Sequence, residues 1–89
     1  MKIKLELFGA SRDLSNKEYL EFNIDEKSSI KELRKKLINY VDDKFKGNYN
    51  FKKIIETSAF CSEDNNIVSD NYKIIKDKKI GIIPPVGGG

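Results

Sequence analysis

The sequence predicts an α+β domain: a mixed sheet with one main helix packed across one face. Three observations predict it. Two early stretches alternate apolar and polar residues with period two, as half-buried strands do. A later stretch, "SSIKELRKKLINYV", changes to a helical period. Short apolar runs between turn formers come after it, and one helix cannot cover both faces of a sheet.

In "KIKLEL" (Lys2–Leu7), Ile3, Leu5 and Leu7 share one face, while Lys2, Lys4 and Glu6 share the other. "GASRDLSNK" (Gly9–Lys17) is rich in turn formers. "YLEFNI" (Tyr19–Ile24) alternates again with Leu20, Phe22 and Ile24 inward, so the two strands form a hairpin with a long loop. Ile30, Leu33, Leu37, Ile38 and Val41 then make one apolar stripe, which predicts a helix over Ile30–Val41. Ser29 with Glu32 three residues later fits a capping box, in which each side chain satisfies a free backbone N–H.

"DDKFKGNYNFKK" (Asp42–Lys53) reads as irregular, with its aromatics anchoring a loop while its lysines stay in water. "IIETSAF" (Ile54–Phe60) reads as a strand, "CSEDNN" as a turn, and "IVSDNYKII" as holding a short edge strand. "KDKK" turns the chain into a last strand, "IGII" (Ile80–Ile83). The inner set is Ile3, Leu5, Leu7, Leu20, Phe22, Ile24, Ile30, Leu33, Leu37, Ile38, Val41, Ile80 and Ile82.

Composition narrows the function. At 89 residues the chain makes one domain with one modest core. Its net charge of +3 falls wholly in residues 44–89, which favours an anionic ligand or an acidic partner surface, if it is more than a lysine-rich solvated face. There is no histidine, which removes the commonest general base and the commonest zinc ligand. Cys61 is the single cysteine, so no internal disulfide forms, and it reads as a small buried hydrophobe. No signal peptide and no apolar run of membrane-spanning length is seen, so a soluble cytoplasmic protein is expected. The lysines interleaved with Phe45, Tyr49 and Phe51 are a weak nucleic-acid signal, and nucleic acid is not expected as a partner.

Two residues break the face pattern. Phe8 continues the first strand on its polar face, and Ile83 lies opposite Ile80 and Ile82. If the first and last strands lie side by side and parallel, both sit where the chain leaves the sheet, as a partner surface would. The chain then runs on as "PPVGGG". Pro84 and Pro85 have fixed φ and no N–H, so they end strand pairing and project the chain. Val86, Gly87, Gly88 and Gly89 continue it as a thin thread, and six residues from Pro84 reach at most roughly 20 Å. Residues 1–83 are thus expected as the domain and residues 84–89 as a flexible tail shaped to enter a narrow tunnel on another protein. A carboxylate at Gly89 is a poor electrophile, which a partner enzyme with ATP could convert to an acyl-adenylate. A sulfur donor would then leave a thiocarboxylate.

The stretches "LFGASRDL" (Leu7–Leu14, with Arg12) and "IPPVGGG" (Ile83–Gly89) resemble the MoaD family, the small subunit of molybdopterin synthase, whose fold is the ubiquitin-like β-grasp. The resemblance covers nearly the whole chain. It departs in "KDKK" (Lys76–Lys79), in extra residues within Cys61–Tyr72, and at Gly87. It implies a sulfur carrier that is not an enzyme on its own. Gly89 would be adenylated by an E1-like adenylyltransferase, converted to the thiocarboxylate with a sulfur-donor enzyme, and inserted into the large catalytic subunit, in a heterotetramer. There it would give sulfur to cyclic pyranopterin monophosphate. Phe8, Arg12 and Ile83 would lie at the subunit interface. The chain would bind no cofactor and no metal, the ATP being used by the activating partner. The alternatives are a carrier for thiamine or tRNA thiolation, and a non-catalytic ubiquitin-like binding module.

Overall fold

The computed structural model describes residues 1–85. Its elements are β1 (Lys2–Leu7), a 3₁₀ turn (Gly9–Leu14), β2 (Tyr19–Asn23), α1 (Ile30–Lys44), α2 (Tyr49–Thr57), β3 (Ala59–Cys61), β4 (Ile67–Val68) and β5 (Lys79–Ile83). The sheet order is β2-β1-β5-β3-β4. β1 pairs antiparallel with β2 and parallel with β5, while β3 pairs antiparallel with both β4 and β5. This is the mixed sheet expected from the sequence, with the first and last strands side by side.

α1 begins where the capping box predicts. Glu32 N–H donates to Ser29 Oγ at 3.2 Å, and Ser29 N–H donates to Glu32 Oε1 at 3.2 Å. The Ser29 N–H, and next the Ser29 hydroxyl, which also donates to Glu32 Oε1 at 3.2 Å, hold the Glu32 carboxyl below its ordinary value of 4.5. The helix runs past Val41, to Lys44.

The strand expected at Ile54–Phe60 is corrected. Residues Tyr49–Thr57 form α2, and only Ala59–Cys61 are extended. Asn48 starts the helix, its side-chain oxygen accepting from Phe51 N–H at 3.1 Å. Ile54 and Ile55 are β-branched and read as strand by propensity. Here Ile55 is wholly buried and Phe51 and Ile54 are half-buried, a spacing that only a helix puts on one side. The end of α2 is held from α1: Arg34 Nη1 donates to the carbonyls of Ile55 (2.6 Å), Glu56 (3.2 Å) and Ser58 (2.9 Å). These are carbonyls that a helix C-terminus leaves without internal partners.

The core contains Ile3, Leu5, Leu7, Ile24, Ile30, Leu33, Leu37, Val41, Ile80 and Ile82 of the expected set. Leu20, Phe22 and Ile38 are only half-buried. The first two lie on β2, an edge strand, and Ile38 flanks the helix stripe. Leu14, Ile55, Phe60 and Ile74 join the core from the 3₁₀ turn, α2, β3 and the segment before β5. The aromatics of the stretch expected as irregular divide. Phe45 and Phe51 stack edge-on at 4.7 Å, Phe45 meets Tyr40 at 6.0 Å, and Tyr49 is exposed.

Candidate functional site

The parallel β1–β5 pair sets the geometry of the site. Its register matches Glu6 with Gly81 and Leu7 with Ile82, so both strands finish at the same end of the sheet. Phe8 comes directly after β1 and Ile83 ends β5 there, both on the face away from the core. Ile83 pairs with Ala59 of β3, and Gly81 pairs with Cys61. The result is a strip of outer-face residues next to the chain's exit: Phe8 exposed, and Ala59, Cys61 and Ile83 half-buried. Cys61 lies on this outer face rather than in the core.

Phe8 is fixed by the turn after it. Ser11 N–H and its hydroxyl donate to Phe8 O at 3.2 and 2.6 Å, closing the 3₁₀ turn. That turn carries Arg12, exposed and paired with Glu18 at 3.3 Å. Phe8, Arg12, Glu18, Tyr19, Lys4, Glu6 and Leu7 line an open cleft of about 440 Å³. Its floor carries paired charges: Lys79 bridges Glu6 at 3.3 Å, and the Lys4 ammonium sits 4.4 Å from the Tyr19 ring centre. Phe8 and Arg12 therefore share one cleft, and Ile83 lies near it on the next strand.

Pro84 is buried, and Pro85 is exposed. A Cβ on Gly9 would stand 3.9 Å from the Pro84 ring, so the chain is still packed on the domain at Pro84. Both prolines, with Ala10, Asn50, Lys53, Ile54 and Thr57, line a second groove of about 320 Å³ between the 3₁₀ turn and α2. Val86, Gly87, Gly88 and Gly89, the other residues expected in the tail, lie outside the described residues.

The sequence reading missed Gly81, Ala59 and Cys61 as parts of this surface. A glycine inside an apolar strand was the available signal, because it often marks a close approach by another group. Among the described residues, no three His, Cys, Asp or Glu side chains come together as a metal set. Among them, too, no helix is long and apolar enough to cross a membrane. What the described face offers is contact: an exposed aromatic ring, aliphatic neighbours and one exposed guanidinium.

No protein-family model matches the sequence, and no curated protein matches it. Similar solved structures exist. SAMP1 from Haloferax volcanii has a TM-score of 0.68 at 11% identity, covering 100% of both chains. A putative molybdopterin converting factor subunit 1 from Pyrococcus furiosus has a TM-score of 0.66 at 19% identity, covering 96% of this chain and 98% of that one. The complex of subunits 1 and 2 of molybdopterin-converting factor from Helicobacter pylori gives a TM-score of 0.61 at 20% identity, covering 100% of both chains. The sheet order, the parallel β1–β5 pair, the helix across one face and these likenesses together give the chain the ubiquitin-like β-grasp fold.

Proposed function

We propose that this chain is the sulfur-carrier small subunit of a molybdopterin synthase, working in the cytoplasm with residues 1–83 as platform and 84–89 as tail. In this reading the Gly89 carboxylate attacks the α-phosphorus of ATP on an E1-like adenylyltransferase, and pyrophosphate leaves. A sulfur-donor enzyme supplies sulfide-level sulfur that displaces AMP, leaving a thiocarboxylate on Gly89. The tail then enters the large subunit, in a heterotetramer, and transfers its sulfur to cyclic pyranopterin monophosphate. Phe8, Arg12 and Ile83 dock the domain, while Pro84, Pro85, Val86, Gly87 and Gly88 aim and thin the approach. The chain holds no cofactor or metal of its own and supplies no catalytic side chain; the large subunit does.

The observation that carries this reading is the convergence of Phe8, Ile83 and the Pro84–Pro85 exit at one end of the sheet. The likeness in fold to two molybdopterin converting factor subunits, one solved with its subunit 2, supports it. The test is intact mass after incubation with ATP, an E1-like enzyme and a sulfur donor. Exchange of one oxygen for sulfur at Gly89 is expected, and deletion of Gly89 abolishes it with the fold retained. Thiocarboxylated chain that yields no molybdopterin with any large subunit and precursor would overturn the assignment.

A second reading has its own support. The likeness to SAMP1 suits a ubiquitin-like carrier for thiamine or tRNA thiolation, or a binding module without chemistry. Thiazole formation or tRNA thiolation by the same thiocarboxylated chain favours the first of these, and an unchanged mass favours the second.

A further inference from the structure

The sheet has a second end, and it is basic. At the starts of β1 and β5, Lys2, Lys4, Lys76 and Lys78 line one open cleft with Met1, Ile75, Glu21 and Asp77. All four lysines are exposed, and Lys4, whose ammonium sits over the Tyr19 ring, also lines the Phe8 cleft. Two carboxylates, Glu21 and Asp77, line the basic cleft against the four lysines, and Glu63 adjoins it, accepting from Lys78 N–H at 3.0 Å. Asp77 is buried and accepts from Glu63 N–H at 2.9 Å and from the Tyr72 hydroxyl at 2.8 Å. Glu21 meets Lys2 at 3.8 Å, a loose surface pair of small worth. Two aliphatic side chains stand beside the charges: Ile75 is 58% exposed and Met1 38%. No aromatic side chain among the described residues lines this cleft; Tyr72 lines the adjoining groove that shares Ile75, Lys76 and Asp77, so the cleft itself offers no ring on which a nucleic-acid base could stack. Lysines flanking exposed aliphatics suit a protein segment carrying both acids and apolar residues.

Position separates this cleft from the tail. Lys2 and Leu7 are the two ends of β1, about 16 Å apart at strand rise. Because β5 is parallel to β1, Phe8, Ile83 and Pro84 lie at the far end.

We propose that the lysine-lined cleft around Ile75 is a second docking surface, whose occupant is an acidic, leucine-bearing segment of a partner protein. It does not depend on the chemistry of Gly89. It assigns a role to the excess positive charge of residues 44–89, which Lys76 and Lys78 share. Occupancy there leaves the Phe8 end of the sheet open.

The test is an amide ¹H–¹⁵N titration of the full chain with three probes: a short peptide alternating Glu and Leu, an all-Glu peptide of the same length, and an oligothymidylate. The expected result is saturable shifts at Lys2–Lys4 and Ile75–Lys79 with the Glu/Leu peptide, weakening as salt rises from about 50 to about 300 mM. The pair Lys76→Glu and Lys78→Glu, both exposed, lowers affinity about tenfold. Ile75→Ser lowers it about threefold for the Glu/Leu peptide and leaves all-Glu binding unchanged. The variants' amide spectra establish that they remain folded. No saturable shift at these residues, binding unaffected by the two charge reversals, or tighter binding of the oligothymidylate overturns the proposal.

Discussion

Phe8 lies against Gly81 across the parallel β1–β5 pair, so closely that a Cβ on Gly81 would stand 3.0 Å from Phe8 Cε2 and 2.7 Å from Cys61 Sγ. The absence of a side chain at Gly81 lets an aromatic ring settle on the outer face beside the chain's exit. Gly81→Ala must push aside the ring, the thiol or both. It should cost about 1 kcal/mol in urea unfolding, and Cys61→Ala, which removes the nearer atom, should recover part of that in a double-mutant cycle. Additive costs would show that the two positions do not share this contact.

Phe8 itself is 45% exposed, so only part of its ring is buried in the isolated domain. Phe8→Ala is expected to change stability by about 1 kcal/mol while weakening the proposed complex with a large subunit by about 2 kcal/mol or more, as a buried interface anchor does. Calorimetric titration beside thermal unfolding separates the two effects. Equal losses in both would assign Phe8 to the fold instead.

Arg34 joins three parts of the chain. It donates to three carbonyls at the end of α2, pairs with Asp70 at 2.7 Å, and lies 4.8 Å from the Phe60 ring centre. Its side chain is only 18% exposed. Arg34→Ala should destabilise by about 2 kcal/mol, because it leaves two partly buried carbonyls without their donor and removes packing. Arg34→Lys should recover less than half, since an ammonium cannot reproduce the guanidinium fork. A urea midpoint for Arg34→Lys equal to the parent would refute the role of the fork.

The Ser29–Glu32 cap sets an acid limit. Its hydrogen bonds lower the Glu32 carboxyl below 4.5, so the unfolded chain binds that proton more readily. The stabilisation is therefore fully present above 4.5 and is lost as pH falls through the folded value. Glu32→Gln should flatten the acid limb of stability against pH between 4.5 and that lower value. An unchanged limb would remove Glu32 from the account.

At the alkaline end the sign reverses. The hydrogen bond from Tyr72 to Asp77 raises the phenol above its ordinary value of 10.0. Its contribution is present below 10.0 and is lost as pH rises through the folded value, so Tyr72→Phe should be closest to the parent in stability at high pH. Unfolding curves at neutral and alkaline pH check this.

The elements whose signal is local were legible in the chain before any fold was known. β1 and α1 begin where alternation and the capping box put them, and Ile80–Ile83 belong to the last strand. Both signals are read within one stretch of chain, and burial of one face enforces them. The exposed position of Phe8 on the outer face came from the same alternation, and its nearness to Ile83 needed only that the first and last strands be parallel.

Ile54–Thr57 and the floor beneath Phe8 were not legible in this way, because their partners are distant. Two adjacent β-branched isoleucines favour a strand by themselves. The Asn48 cap and a guanidinium reaching from 21 to 24 residues away give the helix its ends. Likewise, that Gly81 faces Phe8 and Cys61 depends on strand neighbours far apart in the chain. The local pattern ranks the faces of each element, but which elements meet is fixed by the sheet order, through hydrogen bonds and packing that span the whole domain.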